Sequence, residues 1–412
     1  MAIPVDLLRL AAWAVAHDPA NRQAAPLLGL LGWDRATEPA RMKDRARLLA
    51  AALDCVRVFQ IGAPDAPGLH CFAAEVDLAI AAGEPGLPVI GSSGVAAQAG
   101  AAFAACIGEA VELRAQVQTA AQRAAGGQGA ADEVTACRWL DGSPRAVPLD
   151  RCFRRAPDRV RQPAPAPLSI GCAAGPTRGE ATLRAALELV ERDAVALWWR
   201  GGRTGRPVPL EASAMAVALL AQVRQGLTHR HTWLLDIASD LGVPVVAAIS
   251  LGQGGVGFSC GTAARTSVAE AACAAVLEMC QNELAHAVAS AKREQRGGAG
   301  LNPRDLAIFS RAAQVTANSV WLIHPAGAPR DLSLSADEPN RLVGSLCDRL
   351  DAAGLELLVL DHSDSADGIC VWRAICEGLA CEPSSETPGR LQSAIAETGG
   401  GPGLRAGIPL YV

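Results

Sequence analysis

Residues 171–191 read GCAAGPTRGEATLRAALELVE and residues 261–281 read GTAARTSVAEAACAAVLEMCQ, so one pattern is written twice in the chain. The two stretches align without gaps at a constant offset of 90 positions. The identical pairs are Gly171/Gly261, Ala173/Ala263, Ala174/Ala264, Glu180/Glu270, Ala181/Ala271, Ala185/Ala275, Leu187/Leu277 and Glu188/Glu278. A third, weaker copy spans residues 94–112. We therefore predict repeated units in which a glycine-containing turn leads into an alanine-rich helix.

Each copy ends with two oxygen-bearing side chains three residues apart. These pairs are Glu109/Glu112, Glu188/Glu191 and Glu278/Gln281. Residues i and i+3 share a helix face, and the surrounding residues are mostly apolar, which leaves little surface for solvated carboxylates. Oxygen ligands suit Mg²⁺, which is held by a few carboxylates together with water and substrate phosphates. The pattern favours a metal–nucleotide site for Glu188 and Glu191, whereas for the other two pairs a solvated helix face stays an equal alternative.

Arg192 directly follows the second pair. A guanidinium beside carboxylates can pair with them or clamp a phosphate, and the alternative is a weak ion pair on the helix surface. Trp198 and Trp199 end the same helical segment, where we expect core residues rather than a platform for a nucleotide base.

Composition and patterning predict a mixed α/β (α+β) fold. Of the 412 residues, 50% are hydrophobic and 19% are charged, which is a globular profile. Residues 1–88 have the pattern of helical segments divided by loops, including a helix over 42–58, and we expect an N-terminal region there that is separate from a domain over 89–412. Buried strands are predicted within 241–251, 355–360 and 368–375, and a loop over 293–303.

Charge and cysteine usage exclude several classes of protein. The net charge is −5, unlike the basic balance of nucleic-acid binders, so no nucleic-acid partner is expected. The N-terminal sequence lacks the pattern of an export signal, and no apolar stretch approaches the length of a membrane span. The 13 cysteines include no Cys-x-x-Cys pair, which favours free thiols in a reducing cytoplasm over disulfides or zinc.

Three other motifs were considered as functional sites and carry little weight. The glycine-rich stretch 252–257 (GQGGVG) fits a hairpin turn better than a phosphate loop, because no Lys-Ser/Thr follows it. His229 and His231 form an isolated pair with little weight as ligands. No Gly-x-Ser-x-Gly elbow indicates a serine hydrolase.

The stretch 169–200 (SIGCAAGPTRGEATLRAALELVERDAVALWWR) resembles the central signature of the YcaO family. That signature has a Gly/Ala-rich turn, an acidic helix with Glu-x-x-Glu-Arg-Asp, and then aromatic residues. Residues 139–153, 232–249, 278–281 and 357–380 resemble further family segments, so the likeness covers about residues 88–390.

The resemblance implies a YcaO-type fold around an ATP site and an enzyme that uses ATP and Mg²⁺ to activate backbone amides of a ribosomally made precursor peptide. Cyclodehydration of Cys, Ser or Thr to thiazoline or oxazoline is the expected reaction, and thioamide or amidine formation and a non-catalytic nucleotide-binding scaffold are the alternatives. Carried over by the resemblance, the glutamates hold Mg²⁺ and phosphates, while Arg192 and Gln281 contact the nucleotide. The glutamates are Glu109, Glu112, Glu188, Glu191 and Glu278, with Glu188 and Glu191 as catalytic candidates.

The resemblance also implies partners: a separate E1-like, leader-binding protein, a flavin dehydrogenase and a second copy of the chain in a homodimer. By the same resemblance, residues 89–412 are expected to form the YcaO catalytic domain and residues 1–88 an extension that binds a partner or leader peptide. Because residues 1–88 are too few for the whole leader-binding domain, the leader-binding protein is expected to be separate.

The chain departs from the family pattern at three places. Ala105 stands where the family usually has Ser, and residues 377–380 read Glu-Gly-Leu-Ala in place of Pro-Gly-Leu-Glu. The sequence ends Gly-Ile-Pro-Leu-Tyr-Val over 407–412 and lacks the family's Pro-x-Pro-x-Pro tail. We nevertheless expect the Val412 carboxylate to enter the site as a catalytic group.

Overall fold

The computed structural model describes residues 1–18, 21–33, 39–125, 132–336, 338–364 and 368–410. Its strands are β1 Ala2–Ile3, β2 Arg57–Gly62, β3 His70–Asp77, β4 Val89–Ala96, β5 Glu133–Arg138, β6 Pro144–Pro148, β7 Cys172–Gly175, β8 Arg206–Pro207, β9 Arg230–Asp236, β10 Val245–Gly252, β11 Ser259–Ala264, β12 Leu358–Asp361 and β13 Cys370–Ile375. Its helices are α1 Val5–His17, α2 Ala25–Leu30, α3 Pro39–Ala52, α4 Leu78–Ala82, α5 Ala99–Ala115, α6 Ala120–Ala125, α7 Arg178–Trp199, α8 Leu210–Arg224, α9 Val268–Arg296, α10 Pro303–Gln314, α11 Pro339–Ala352, α12 Gly389–Thr398 and α13 Pro402–Arg405. The mixed fold class is confirmed.

The first of two compact units, unit 1, comprises Met1–Gly62, His70–Ala186 and Leu357–Ile375. It holds an antiparallel sheet of order β1-β2-β3-β4 and a five-stranded sheet of order β6-β5-β12-β13-β7. Helix α5 packs against β4, the strand that precedes it, and against β3. Phe72 and Phe103 meet edge to face between β3 and α5, with ring centroids 5.6 Å apart. Both rings are fully buried, so this contact anchors the helix that carries Glu109 and Glu112.

Unit 2 comprises Ala63–Leu69, Leu187–Glu356 and Cys376–Val412. Its antiparallel sheet has the order β11-β10-β9-β8. Strand β10 is buried along almost its whole length, and the long helix α9 packs on β11 and β10. Strands β10 and β11 pair antiparallel, Ser250 opposite Ser259, so the predicted hairpin at the glycine-rich stretch is confirmed.

Two glycines that align in the repeat are required for different reasons. Gly171 has φ 74°, in the left-handed region that favours glycine. At Gly261 a Cβ atom would lie 2.1 Å from the Met279 nitrogen and 2.4 Å from the Ala275 oxygen, so helix α9 touches the strand backbone. Gly94 in unit 1 also lies against the backbone of the following helix, since a Cβ atom there would lie 2.2 Å from the Cys106 nitrogen. Glycine thus sets the close packing of strand on helix in both units.

Three predictions of local structure are corrected. Residues 1–88 are not purely helical, because β2 and β3 lie there, and the helix predicted over 42–58 ends at Ala52. The loop predicted over 293–303 begins later, since α9 runs to Arg296. Strand β3 pairs with β4, so a sheet runs across position 88, and the division into functional domains at that position stays a prediction. The strands predicted within 241–251, 355–360 and 368–375 are confirmed as β10, β12 and β13.

No helix in the described part of the chain is both long enough and apolar enough to cross a lipid bilayer.

Candidate functional site

In unit 1, two glutamates of α5 accept hydrogen bonds from strand backbones. The Ser93 N–H donates to Glu109 Oε2 at 2.8 Å. The Ala174 N–H, on β7, donates to Glu112 Oε1 at 2.6 Å. Both strands, β4 and β7, lie at an edge of their sheets, and an edge strand has amide groups that no neighbouring strand uses. The carboxylates therefore lie where the predicted i, i+3 spacing puts them, on one face of α5.

In unit 2, glutamates from two different helices meet at one residue of the edge strand β11. The Thr262 N–H donates to Glu278 Oε2 of α9 at 2.9 Å. The Thr262 hydroxyl donates to Glu191 Oε1 of α7 at 2.7 Å, and the Ala264 N–H donates to Glu191 Oε2 at 3.2 Å. The structure thus brings Glu191 and Glu278 together.

The same spacing along the chain underlies one contact in each unit. Ser93 and Glu109 are separated by 16 positions, and so are Thr262 and Glu278. In each case a strand amide binds the carboxylate of the helix that follows it. Because a fixed connection places strand and helix alike in both units, the same separation gives the same hydrogen bond.

The electrostatics of the unit 2 pair fit a divalent cation. Burial and the charge of Glu191 together raise the pKa of Glu278 to about 8, against the opposing charge of Arg192. Two carboxylates that repel each other in a desolvated place are stabilised by a positive ion. Among the described residues, no group of three or more His, Cys, Asp or Glu forms a preformed metal centre. Mg²⁺ is usually bound through one or two carboxylates, with phosphates and water as its other ligands, so the residues present fit Mg²⁺ delivered with a nucleotide.

The remaining predicted residues of α7 and α9 also lie in unit 2. Glu188 and Arg192 form an ion pair with 3.4 Å between Oε1 and Nη2, and both side chains are partly buried. Gln281 is partly buried on α9. The nucleotide contacts of Arg192 and Gln281 stay predictions.

Val412 lies outside the described residues, but the segment before it is held firmly in unit 2. The Trp199 Nε1–H donates to the Ile408 carbonyl at 2.6 Å, and the Arg311 Nη1–H donates to the Leu410 carbonyl. Ile408 and Leu410 are buried. Trp198 and Trp199 are buried as predicted.

Cys260 on β11 lies within electrostatic reach of both the tail anchor and the carboxylate pair. Burial raises the pKa of its thiol, the charges of Glu278 and Glu191 raise it as well, and Arg311 lowers it. The last described residues of the chain are anchored by Arg311, whose charge acts on the same thiol as the charges of Glu191 and Glu278.

Several polar residues in or near the candidate sites were not predicted from the sequence. Thr262 and Arg311 carry no local motif, since their partners are distant in the chain. In unit 1, Arg373 is 5% exposed, and its Nε makes no hydrogen bond within the described ranges. Burial and the charge of Arg373 lower the pKa of Arg154, so two neighbouring guanidiniums form a candidate anion contact. An arginine in the centre of the apolar strand 370–375 was the signal available for Arg373.

The fold is similar to those of solved heterocyclases. A "heterocyclase in complex with substrate and cofactor" is 21% identical, with a TM-score of 0.65, and the match covers 86% of this chain and 55% of that one. The YcaO protein from Methanopyrus kandleri bound with AMPPCP and Mg²⁺ is 20% identical, with a TM-score of 0.58 and coverage of 84% and 92%. The E. coli microcin synthetase McbBCD complex matches at 12% identity, with a TM-score of 0.52 and coverage of 78% and 86%. The chain thus spans little more than half the length of the first of these heterocyclases.

A search of curated proteins gave no match. The family model described as YcaO cyclodehydratase, ATP- and Mg²⁺-binding, matches residues 127–380, more than half of the chain. This match confirms the resemblance, and the family's description names ATP and Mg²⁺, the two predicted cofactors. The chain belongs to the YcaO family.

Proposed function

We propose that this chain is an ATP- and Mg²⁺-dependent cyclodehydratase that converts Cys, Ser or Thr residues of a precursor peptide into azoline rings. The observation that carries the proposal is the meeting of Glu191 and Glu278 at Thr262, because it provides a buried, doubly acidic place that a divalent cation would stabilise. Family membership supplies the reaction class.

In the proposed reaction, a side-chain thiol or hydroxyl of the peptide attacks the preceding amide carbonyl. The former amide oxygen takes the γ-phosphoryl group of ATP and leaves as inorganic phosphate, so each ring forms with net loss of water and conversion of ATP to ADP. An amide oxygen leaves poorly, and its conversion to a phosphate ester provides the driving force. Mg²⁺, when bound, supplies charge neutralisation at the transferred phosphoryl group.

The residues of the chain divide this work. Glu188, Glu191 and Glu278 of unit 2 and Glu109 and Glu112 of unit 1 are assigned to Mg²⁺ and the phosphates. Those in hydrogen bonds with strand amides have fixed positions, and this preorganisation lets them bind without rearrangement.

Arg192 and Gln281 are assigned to the nucleotide. The charge of Arg192 lowers the pKa of Glu278 and so favours the carboxylate that a cation requires.

The Val412 carboxylate is assigned to proton transfer from the attacking group. Support comes from the anchoring of Ile408 by Trp199 and of Leu410 by Arg311, which brings the chain to within two residues of its C-terminus under tight constraint. This anchoring needs main-chain carbonyls only, so it does not depend on the missing prolines.

The finer proposals concern partners and location. We assign a separate leader-binding protein, a flavin dehydrogenase that oxidises the rings, a homodimeric state and a cytoplasmic location. Two of the similar structures are of the microcin synthetase McbBCD complex, and the second of these has pro-MccB17 bound. Light scattering of the pure chain tests the dimer, and co-purification with the products of adjacent genes tests the other partners.

The decisive experiment incubates the protein with ATP, Mg²⁺ and a Cys/Ser/Thr-rich peptide encoded next to its gene, followed by mass spectrometry. We expect a loss of about 18 Da per ring with matching ADP release. A gain of about 16 Da would indicate a thioamide instead, and no ATP-dependent change with the partner protein present would indicate a scaffold.

A further inference from the structure

Thr262 is the point at which two helices of unit 2 are tied to one strand. Its side chain is buried, with 2% of the residue exposed. Its N–H binds Glu278 on α9, and its hydroxyl binds Glu191 on α7. Because the two donors belong to a single residue, the separation of the two carboxylates is set by the dimensions of one threonine.

The hydrogen bonds also determine which oxygens are available. Glu191 accepts at both of its oxygens, from the Thr262 hydroxyl and from the Ala264 N–H. Glu278 accepts at Oε2 from the Thr262 N–H, whereas its Oε1 accepts no hydrogen bond from any residue in the described ranges. Glu278 Oε1 is therefore the oxygen of this pair that has most capacity left for a ligand.

The repeat itself does not require the hydroxyl. At the offset of 90 positions, Thr262 aligns with Cys172, a much weaker donor. A backbone N–H would bind Glu278 whichever residue stood at 262, as the Ser93 N–H binds Glu109. The contact to Glu191 is thus the one that depends on a threonine side chain, and it is the only one of the two that a substitution can remove selectively.

We propose that Thr262 is a positioning residue for the divalent cation: its hydroxyl holds Glu191 beside Glu278 so that both carboxylates can serve one Mg²⁺. This inference rests on the proposed function. Groups that orient ligating side chains without touching the ion typically change metal affinity 10- to 100-fold when they are removed. Thr262 acts through Glu191 and has no assigned contact with the nucleotide.

The test is calorimetric titration of AMPPCP into the full chain over a series of Mg²⁺ concentrations. Thr262→Val keeps the shape and the N–H but loses the hydroxyl, and Thr262→Ser keeps both donors. Thr266→Val is the matched control, because the Thr266 hydroxyl also binds a glutamate, Glu270, in an exposed position, and neither residue is assigned to the cation. Melting curves without ligand check that each variant is folded, and Thr262→Cys, the side chain of the aligned position, replaces the valine variant if that one does not fold.

We expect Thr262→Val to raise the Mg²⁺ concentration for half-maximal AMPPCP binding by about 10- to 100-fold. Thr262→Ser and Thr266→Val should stay close to the wild type. Thr262→Ser loses the methyl group but keeps the hydroxyl. If Thr262 had only a packing role, the serine variant would also lose affinity, so wild-type binding by this variant supports positioning by the hydroxyl.

Two results would overturn the inference. If Thr262→Val binds with the Mg²⁺ dependence of the wild type, the hydroxyl does not position the carboxylates, while the proposed function stands. If the wild type itself binds AMPPCP without any dependence on Mg²⁺, the proposed function fails and this inference fails with it.

Discussion

The carboxylate pairs of the two units are built on the same plan and differ in what surrounds them. In unit 1, Glu109 and Glu112 belong to one helix and each accepts a backbone N–H. In unit 2, Glu191 and Glu278 come from two helices and each accepts a backbone N–H, and Glu191 also accepts the Thr262 hydroxyl. Burial and the charge of Glu191 raise the pKa of Glu278.

The comparison separates what the repeat provides from what single residues add. Backbone donors recur because strand and helix are connected alike in both units, so they are a property of the fold. The hydroxyl at position 262 and the mutual repulsion of Glu191 and Glu278 are properties of unit 2. Unit 2 is consequently expected to contribute the larger share of cation affinity.

The largest expected effect is on the free energy of unfolding, and it concerns the glycines at which strand and helix pack closely in both units. Gly261→Ala and Gly94→Ala should each lower the free energy of unfolding by about 3 kcal/mol, since the added Cβ would meet helix backbone that has no room to move. Gly108→Ala is the control, because a Cβ there meets nothing within 4 Å and α5 gains a better helix former. Urea denaturation measures all three. If only one of Gly261 and Gly94 proves sensitive, the two units do not share this packing.

The next effect separates the two pairs. Glu191→Gln and Glu278→Gln should each weaken Mg²⁺-dependent AMPPCP binding by about 100-fold or more, because each removes a charge-assisted contact. Glu109→Gln and Glu112→Gln should weaken it less, by about 10-fold. Glu180→Gln and Glu270→Gln are matched controls, because these aligned glutamates accept hydrogen bonds from the hydroxyls of Thr177 and Thr266 at the start of their helices. Calorimetry in which the unit 1 variants lose as much affinity as the unit 2 variants would remove the expected asymmetry.

The smallest effect is on stability without ligand. Because the pKa of Glu278 is raised in the folded protein, the folded state binds a proton more tightly than the unfolded state does. The contribution of this group to stability is therefore present at low pH and is lost as the pH rises through the raised pKa. Glu278→Gln removes this dependence and should raise the melting temperature at pH 8 by about 2 °C.

Glu109→Gln provides the comparison for that melting experiment, since it changes the equivalent glutamate of unit 1. Melting curves from pH 5 to pH 8 should converge for wild type and Glu278→Gln at the acidic end. Curves that diverge at pH 5 and converge at pH 8 would show that the sign of the Glu278 shift is wrong.

Periodicity was enough to predict much of the fold. The i, i+3 glutamates, the alanine-rich helices and the β10–β11 hairpin depend on local spacing, and each lies where the spacing puts it. The start of strand β2 was missed because the helix predicted over 42–58 was extended past Ala52 over the β-branched residues that follow it. Local patterns define an element better than its end.

The parts of the site that sequence did not predict depend on long-range contacts. Thr262 meets Glu191 across 71 positions, and Arg311 meets Leu410 across 99. The aligned glycines Gly171 and Gly261 show a further limit, since one residue type at equivalent positions serves a left-handed turn in one unit and a helix contact in the other. Identity in the repeat therefore indicates equivalent placement but not an equivalent physical role.

The most direct test of the central claim is anomalous diffraction from crystals grown with AMPPCP and Mn²⁺ in place of Mg²⁺. We predict an ion bound to the nucleotide phosphates, with Glu278 Oε1 about 2.1 Å from the ion and Glu191 bound to it directly or through a water molecule. A nucleotide-bound ion with neither Glu191 nor Glu278 in its coordination sphere would contradict the account.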